Sequence, residues 1–236
     1  MQYGMTPFLM WNILAPDLRA ELERRYGKED AARVMKAAYP HFRQIVAGIE
    51  DPQQGRRYFW SLLRAGMLAA IYLATKILDD DIAPSPAECA ALFADVVRRN
   101  GACQRLARRM RDDFTPMGQR RIQRDALMTQ MRTKDYGWNY VYSTGPAPGT
   151  YMVTYRRCGI LRLYKELGVP ELMGAACRFP DVWCELEGVE LGRTMCLAEG
   201  DPCCDFQLRI IPDEKEEKKA PEGQKEPEGT EGETAS

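Results

Sequence analysis

Histidine is almost absent from this chain of 236 residues: His41 is the only one. That scarcity argues against a His-rich zinc site and against a cysteine–histidine dyad as the default chemistry. There is no Cys-x-x-Cys pair either, so the common zinc spacings are missing and neither a metal nor a cofactor is expected. No Gly-rich phosphate loop and no Gly-x-Ser-x-Gly elbow occurs, which leaves nucleotide hydrolysis and serine-elbow chemistry without their usual signatures. The first residues show no basic start followed by an apolar stretch and a small-residue cleavage site. A cytoplasmic location with free thiols is therefore expected.

Long uninterrupted apolar runs are also lacking. Residues 58–78 come nearest, but Arg64 and Lys76 leave only eleven uncharged residues between them. A spanning helix wants about 18 to 20, so a helix buried in a protein core is the better reading and no membrane is expected. The stretch 98–134 carries eleven Lys/Arg against three Asp, with Phe114 as its one aromatic. Nucleic-acid binding wants aromatics interleaved with charge, so a solvated face is expected there and no nucleic-acid partner.

The net charge of -1 hides a split. Residues 213–236 hold nine acidic and four basic residues, leaving 29 basic against 25 acidic in the rest. A mildly basic body suits an anionic small-molecule substrate, and a homo-oligomer is compatible with the composition. From residue 212 onward the chain has almost nothing apolar, and such a segment cannot repay the entropy of ordering. It is read as a disordered acidic tail, 212–236.

The rest divides by texture into a helical part, 1–135, and an α+β part, 136–211, together forming one compact domain. A short helix is expected from Pro16 to a stop at Gly27. A second follows to about Gly48, with Ala32, Met35, Ala38, Phe42, Ile45 and Ile49 at helical spacing. Asp51-Pro52 breaks the chain before the apolar helix. After Pro84 and Pro86 one helix is expected to about Met110, and Thr115-Pro116 caps another to about Lys134. Aromatic and β-branched residues at 138–143 and 151–158, around a Gly/Pro turn, predict a hairpin. Two short helices separated by Pro170 and a second strand pair, 190–198 with 203–211, complete an α+β fold: helices first, then two antiparallel hairpins.

Six of the eight cysteines fall between Cys158 and Cys204, a concentration that suggests a site. Cys89, Cys103, Cys184 and Cys196 read as small core hydrophobes. Along 203–210, alternation places Cys204, Phe206, Leu208 and Ile210 on one face and Cys203 and Asp205 on the other, toward solvent or a neighbour. On the partner strand, Leu191, Arg193, Met195 and Leu197 share a face, making Arg193 an inward-pointing charge. It needs a partner. Two readings stand: a structural ion pair, with Asp181 as a candidate, or a clamp for a substrate carboxylate. Cys177 and Asp181, four apart, share a helix face if the turn persists past Pro180.

Taken in order, Cys158, Leu167-Gly168-Val169-Pro170-Glu171-Leu172, Cys177 with Asp181, Arg193-Thr194, and Gly200 with Cys204-Asp205-Phe206 form a recurring pattern. Over about 151–209 the chain resembles the L-2-amino-thiazoline-4-carboxylic acid hydrolase family. The resemblance implies ring-opening hydrolysis of a cyclic isothiourea-like acid, at its C=N bond, to N-carbamoyl-L-cysteine. Set against that chemistry, Cys204, Asp181 and Cys177 are the candidate catalytic residues. Cys204 is the expected nucleophile, with direct water attack as the other route. Asp181 or Asp205 is the proton carrier, Asp181 being preferred because alternation puts Asp205 on the face opposite Cys204. Arg193, Thr194, Cys158 and Asp205 are the candidate substrate-binding residues. The doublet Cys203-Cys204 adds a second thiol beside the motif cysteine. The alternative function is a non-catalytic small-molecule or metal-binding sensor domain, a layout that vinyl-4-reductase-type ligand domains also loosely share.

Overall fold

A computed structural model of the chain describes residues 4–50, 54, 56–131 and 134–212. The tail 213–236 and the expected break at Asp51-Pro52 lie outside them. The architecture is α+β, with a helical layer first and one antiparallel sheet after it.

Helix α1 (Thr6–Gly48) begins well before the proline expected to start it, and Pro16 and Pro40 both lie inside it. An interior proline costs about 3 kcal/mol. Met10, Trp11, Leu14 and Leu18 are buried along this stretch, and about 1.5–3 kcal/mol for each large apolar side chain outweighs that cost. Gly27, at φ 83, does interrupt the helix where a stop was expected, so α1 is two helices joined at a kink. Beyond the kink the buried stripe enters at Ala31 and Val34, one position earlier than Ala32 and Met35, then follows Ala38, Phe42 and Ile45.

Helix α2 (Arg56–Thr75) is buried almost all round: Leu62, Leu63, Met67, Leu68, Ala69, Ala70 and Ile71 are essentially inaccessible. By length and composition it could cross a membrane, and 72% of its apolar stretch is buried inside the protein. The single helix expected up to Met110 is two, α3 (Pro86–Arg99) and α4 (Gly101–Met110). Asn100 divides them. Its Oδ1 accepts from the amides of Ala102 and Cys103, while its Nδ2 donates to Ile13 O and Asp17 on α1. One side chain thus caps a helix and ties it to a neighbour, a gain over a straight continuation. A 3-10 turn (Arg111–Phe114) leads into α5 (Pro116–Met131), where Thr115 Oγ1 accepts from Gly118 N as its cap role requires.

The first hairpin is β1 (Asn139–Thr144) with β2 (Thr150–Arg157). Then come α6 (Gly159–Glu166), a 3-10 turn (Pro170–Leu172), α7 (Met173–Ala176) and α8 (Phe179–Glu187). The pair β3 (Val189–Arg193) and β4 (Cys204–Ile210) completes the sheet, ordered β1-β2-β4-β3 and antiparallel throughout. The expected second strand ends at Arg193, because 197–199 forms a 3-10 turn. Helix α8 was missed. Pro180 opens it rather than ending α7, since proline's fixed φ and missing N–H fit a first turn. Cys177 closes α7, so Cys177 and Asp181 lie on different helices and share no face.

The helical layer covers one face of the sheet. Tyr58 of α2 packs its ring 4.9 Å from Trp138 and 5.7 Å from Tyr140. Thr129 of α5 accepts from Tyr140 N at 3.2 Å. A contiguous apolar core runs through both parts, from Met10 to Trp183.

Candidate active site

Strand register decides which side chains meet the helical layer. Tyr140 pairs with Tyr155 and Tyr155 with Cys204; Val153 pairs with Phe206, and Phe206 with Arg193. Directly opposite residues share a face, so Tyr140, Val153, Tyr155, Cys204, Phe206 and Arg193 all point the same way. That is the face expected for Cys204 and Arg193. It meets α2, α7 and α8 around a cavity of about 230 Å³. The volume suits a small metabolite.

One side of the cavity is thiol. Cys204 (8% exposed), Cys158 and Cys177 line it. Burial, against the opposing N–H of Leu197 and with Cys196 and Cys158 nearby, pushes the Cys204 thiol up to about 11. Burial next to Cys196 drives Cys177 far up. Cys158 also rises by burial, although the amides of Leu161 and Ile160 pull the other way. All three thiols therefore rest protonated near neutral pH.

The other side is charged. Arg57 is ion-paired to Asp113, and Asp113 also takes Arg121 at 2.7 Å. Burial works against the Arg57 charge, and Asp113 more than restores it. Arg64 lies 4.3 Å from the centre of the Trp183 ring and donates to Ser61 Oγ at 3.1 Å. Glu187, at the end of α8, is 7% exposed, and burial pushes its carboxyl up to about 7 against the pull of Arg57. Such a group changes protonation in the range where a general acid or base works best.

Of the residues expected at the site, Cys204, Cys177, Cys158 and Arg193 all line the cavity. Arg193 Nη1 donates to Cys177 O at 2.8 Å and its Nη2 is 3.8 Å from Asp181 Oδ2. Asp181, with its side chain 51% exposed, does not line the cavity. Thr194 and Asp205 do not line it either; they bind each other. Thr194 N donates to Asp205 Oδ1 at 2.9 Å, Thr194 Oγ1 donates to Oδ2, and Met195 N also donates to Oδ1. Partial burial works against the Asp205 carboxylate, but these donors outweigh it and hold its pKa low.

This explains the Gly-Asp-Pro-Cys-Cys-Asp-Phe string in structural terms. Gly200 takes a left-handed φ of 96 to turn the chain. Asp201 accepts from Cys196 N at 2.7 Å, Cys204 Sγ accepts from Leu197 N at 3.2 Å, and Asp205 holds 194–195. The motif folds the loop that carries Cys196 against Cys204. Cys203, expected toward solvent or a neighbour, is buried with its Sγ 3.8 Å from Met195 Sδ.

Sequence reasoning passed over Arg57, Arg64, Asp113, Glu187 and the neighbouring Cys196. A signal existed for two of them. Arg64 interrupts an otherwise apolar helix, and Glu187 continues the apolar face of Phe179 and Trp183 at helical spacing. Among the described residues, no three of His, Cys, Asp and Glu are placed to hold a metal ion.

With this geometry in view, the chain can be set beside known proteins. The family model described as L-2-amino-thiazoline-4-carboxylic acid hydrolase matches residues 61–208. The match takes in most of α2 and the whole sheet up to Leu208. No curated protein matches the chain.

Proposed function

The chain belongs to the L-2-amino-thiazoline-4-carboxylic acid hydrolase family, and from that premise we propose that it opens the ring of a small cyclic isothiourea acid by hydrolysis. The observation that carries this reading is convergence: Cys204, Glu187 and the guanidinium groups of Arg64 and Arg193 face one cavity of about 230 Å³.

In a 2-amino-thiazoline acid the amidine carbon is bonded to two nitrogens and the ring sulfur. Water adds its oxygen to that carbon, the C–S bond breaks, and the departing sulfur takes a proton. The carbon is left as a carbamoyl group on nitrogen, and the ring sulfur becomes the free thiol of an N-carbamoyl cysteine. In the covalent route Cys204 Sγ attacks the carbon first and expels the ring sulfur, leaving an amidino group on Cys204. Water then attacks that group and Cys204 leaves as a thiol. The first step exchanges one C–S bond for another, so little bond energy is lost.

The protonation states set what each residue must do. A thiol titrating at about 11 is ionised in about one molecule in 10⁴ at pH 7. Attack by Cys204 therefore needs a base at that moment, and so does attack by water. Glu187, half ionised near pH 7, takes that proton and returns it to the departing sulfur. The role expected of Asp181 thus passes to Glu187, because Asp181 sits outside the cavity lining. Arg193 stabilises negative charge that develops as the tetrahedral carbon forms.

The test is hydrolysis of 2-amino-thiazoline-4-carboxylate and a panel of cyclic isothioureas that differ in ring substituents, with the released ring thiol read by a thiol reagent. Release by the wild-type chain supports the hydrolase. Folded protein that releases no thiol from any of them overturns it. Unchanged turnover in Cys204→Ser removes the covalent route and leaves direct water attack.

A further inference from the structure

Three guanidinium groups reach the cavity, and they are not equally free. Arg57 is held by Asp113. Arg193 gives one N–H to the Cys177 carbonyl and stands 3.8 Å from Asp181. Arg64 has a hydroxyl and a ring face as its direct contacts, Ser61 Oγ at 3.1 Å and Trp183 at 4.3 Å, while Glu187 and Cys103 act on it through space. Among the described residues no carboxylate lies within 4.0 Å of it. It projects from a helix whose neighbours Leu62, Leu63, Ala65 and Leu68 are buried. Burial lowers its pKa to about 10, so the group stays charged at neutral pH.

A cation in such surroundings costs several kcal/mol unless an anion or several acceptors compensate it. The ring of Trp183 supplies part of that through its face. A guanidinium has five N–H donors in one plane, and Ser61 takes one. A planar anion entering the cavity would find the remaining in-plane donors, the geometry that suits a carboxylate with two parallel hydrogen bonds. The balance of charge around the cavity points the same way. Its lining holds Arg57, Arg64 and Arg193 against Asp113 and Glu187, and Glu187 is only partly ionised near pH 7.

We infer that Arg64, with Ser61 beside it, is the anchor for the carboxylate of the substrate and so selects small amidine acids over neutral amidines. The inference rests on the hydrolase reading for its substrate but not for its anion site. It also sets the substrate's polarity: the carboxylate lies toward α2 and the amidine carbon toward Cys204. Lysine in place of Arg64 keeps the charge and loses the fork, so it tests geometry apart from charge.

The experiment compares wild type, Arg64→Lys and Arg64→Met on 2-amino-thiazoline-4-carboxylate and on its neutral carboxamide. Thiol release is read alongside calorimetric binding of thiazolidine-4-carboxylate. In Arg64→Met the KM for the acid is expected to rise about 30-fold, so the wild-type preference for the acid over the carboxamide narrows by about the same factor. Arg64→Lys falls between wild type and Arg64→Met, and both variants lose calorimetric affinity in the same order. Wild type that treats acid and carboxamide alike overturns the inference, as do folded Arg64 variants that keep the wild-type preference for the acid. If wild type releases no thiol but binds the carboxylate and Arg64→Lys binds it about tenfold more weakly, the hydrolase reading fails and the anchor stands. Wild type that does not bind the carboxylate overturns the anchor.

Discussion

Around the cavity, the sheet-and-loop side is mainly thiol, with Cys158, Cys177, Cys204 and one guanidinium, Arg193. The α2 and α8 side is mainly charged, with Arg57, Arg64, Glu187 and one thiol, Cys184. Both are buried, yet burial acts on them differently. Desolvation outweighs the opposing pull of the Leu197 N–H, so Cys204 rises to about 11 and rests neutral. On the helical side, Asp113 lets Arg57 keep its charge, the Trp183 ring covers Arg64, and Glu187 is left at about 7. A thiol can stay protonated at little cost, whereas a guanidinium does not neutralise at pH 7 and must find partners. The difference divides the labour: a neutral nucleophile on one side, fixed charge and a titrating carboxyl on the other.

The contrast can be broken most sharply at Cys204. If its sulfur forms the covalent bond, Cys204→Ser should lower kcat by about 10³-fold or more while thermal melting stays near wild type. Mass spectrometry of wild type quenched during turnover should show the amidino adduct. An adduct absent from wild type, with the serine variant at full rate, reduces the thiol side to lining.

On the charged side, Asp113→Asn should cost about 1–3 kcal/mol of stability, because the buried Asp113 carboxylate pairs Arg57, whose side chain is 37% exposed, and Arg121. Urea unfolding reads this directly. A loss below about 1 kcal/mol would mean that Arg57 is solvated well enough without it.

Glu187 sharpens the comparison through pH. Its pKa is raised from an ordinary 4.5 to about 7, so the folded protein holds that proton more tightly than the unfolded chain. The resulting stabilisation is complete below about 4.5, shrinks as pH rises through 7, and amounts to roughly 3 kcal/mol. Glu187→Gln should therefore be more stable than wild type at pH 8, with little difference at pH 4. As the base, Glu187 must be ionised, so wild-type kcat should climb through about pH 7. Glu187→Gln should run about 10²-fold slower with that limb missing. A limb that survives the substitution assigns the base elsewhere.

The smallest effect is expected at Asp181. Its half-exposed carboxylate, 3.8 Å from Arg193, is worth about 0–1 kcal/mol. Asp181→Asn should change kcat less than about twofold. A 10²-fold loss would restore it as the proton carrier.

The sheet part was legible because alternation in a half-buried strand has one solution. Cys204, Phe206 and Leu208 could only share a face, and Arg193 came with them once the strands paired. The helical part was harder. Pro16 resembles a start signal, and only the burial of Trp11 and Leu14 carries α1 back to Thr6. Asn100 looks like one polar residue inside a helix until α1 supplies Ile13 O and Asp17 as its partners. Asp181 looked adjacent to Cys177 until Pro180 opened a new helix between their faces.

What the residues alone determined was the α+β order, the inward side of the last two strands, and the thiols and guanidinium that side carries. These follow from periodicity, which is local. Tertiary structure alone decided that Arg57, Arg64 and Asp113 from the helical layer, with Glu187 from the end of α8, complete the cavity. It also decided that Thr194 and Asp205 build a loop rather than line that cavity. This cavity depends on groups brought together from distant parts of the chain, such as Arg57 with Asp113, and no spacing along a chain encodes that meeting.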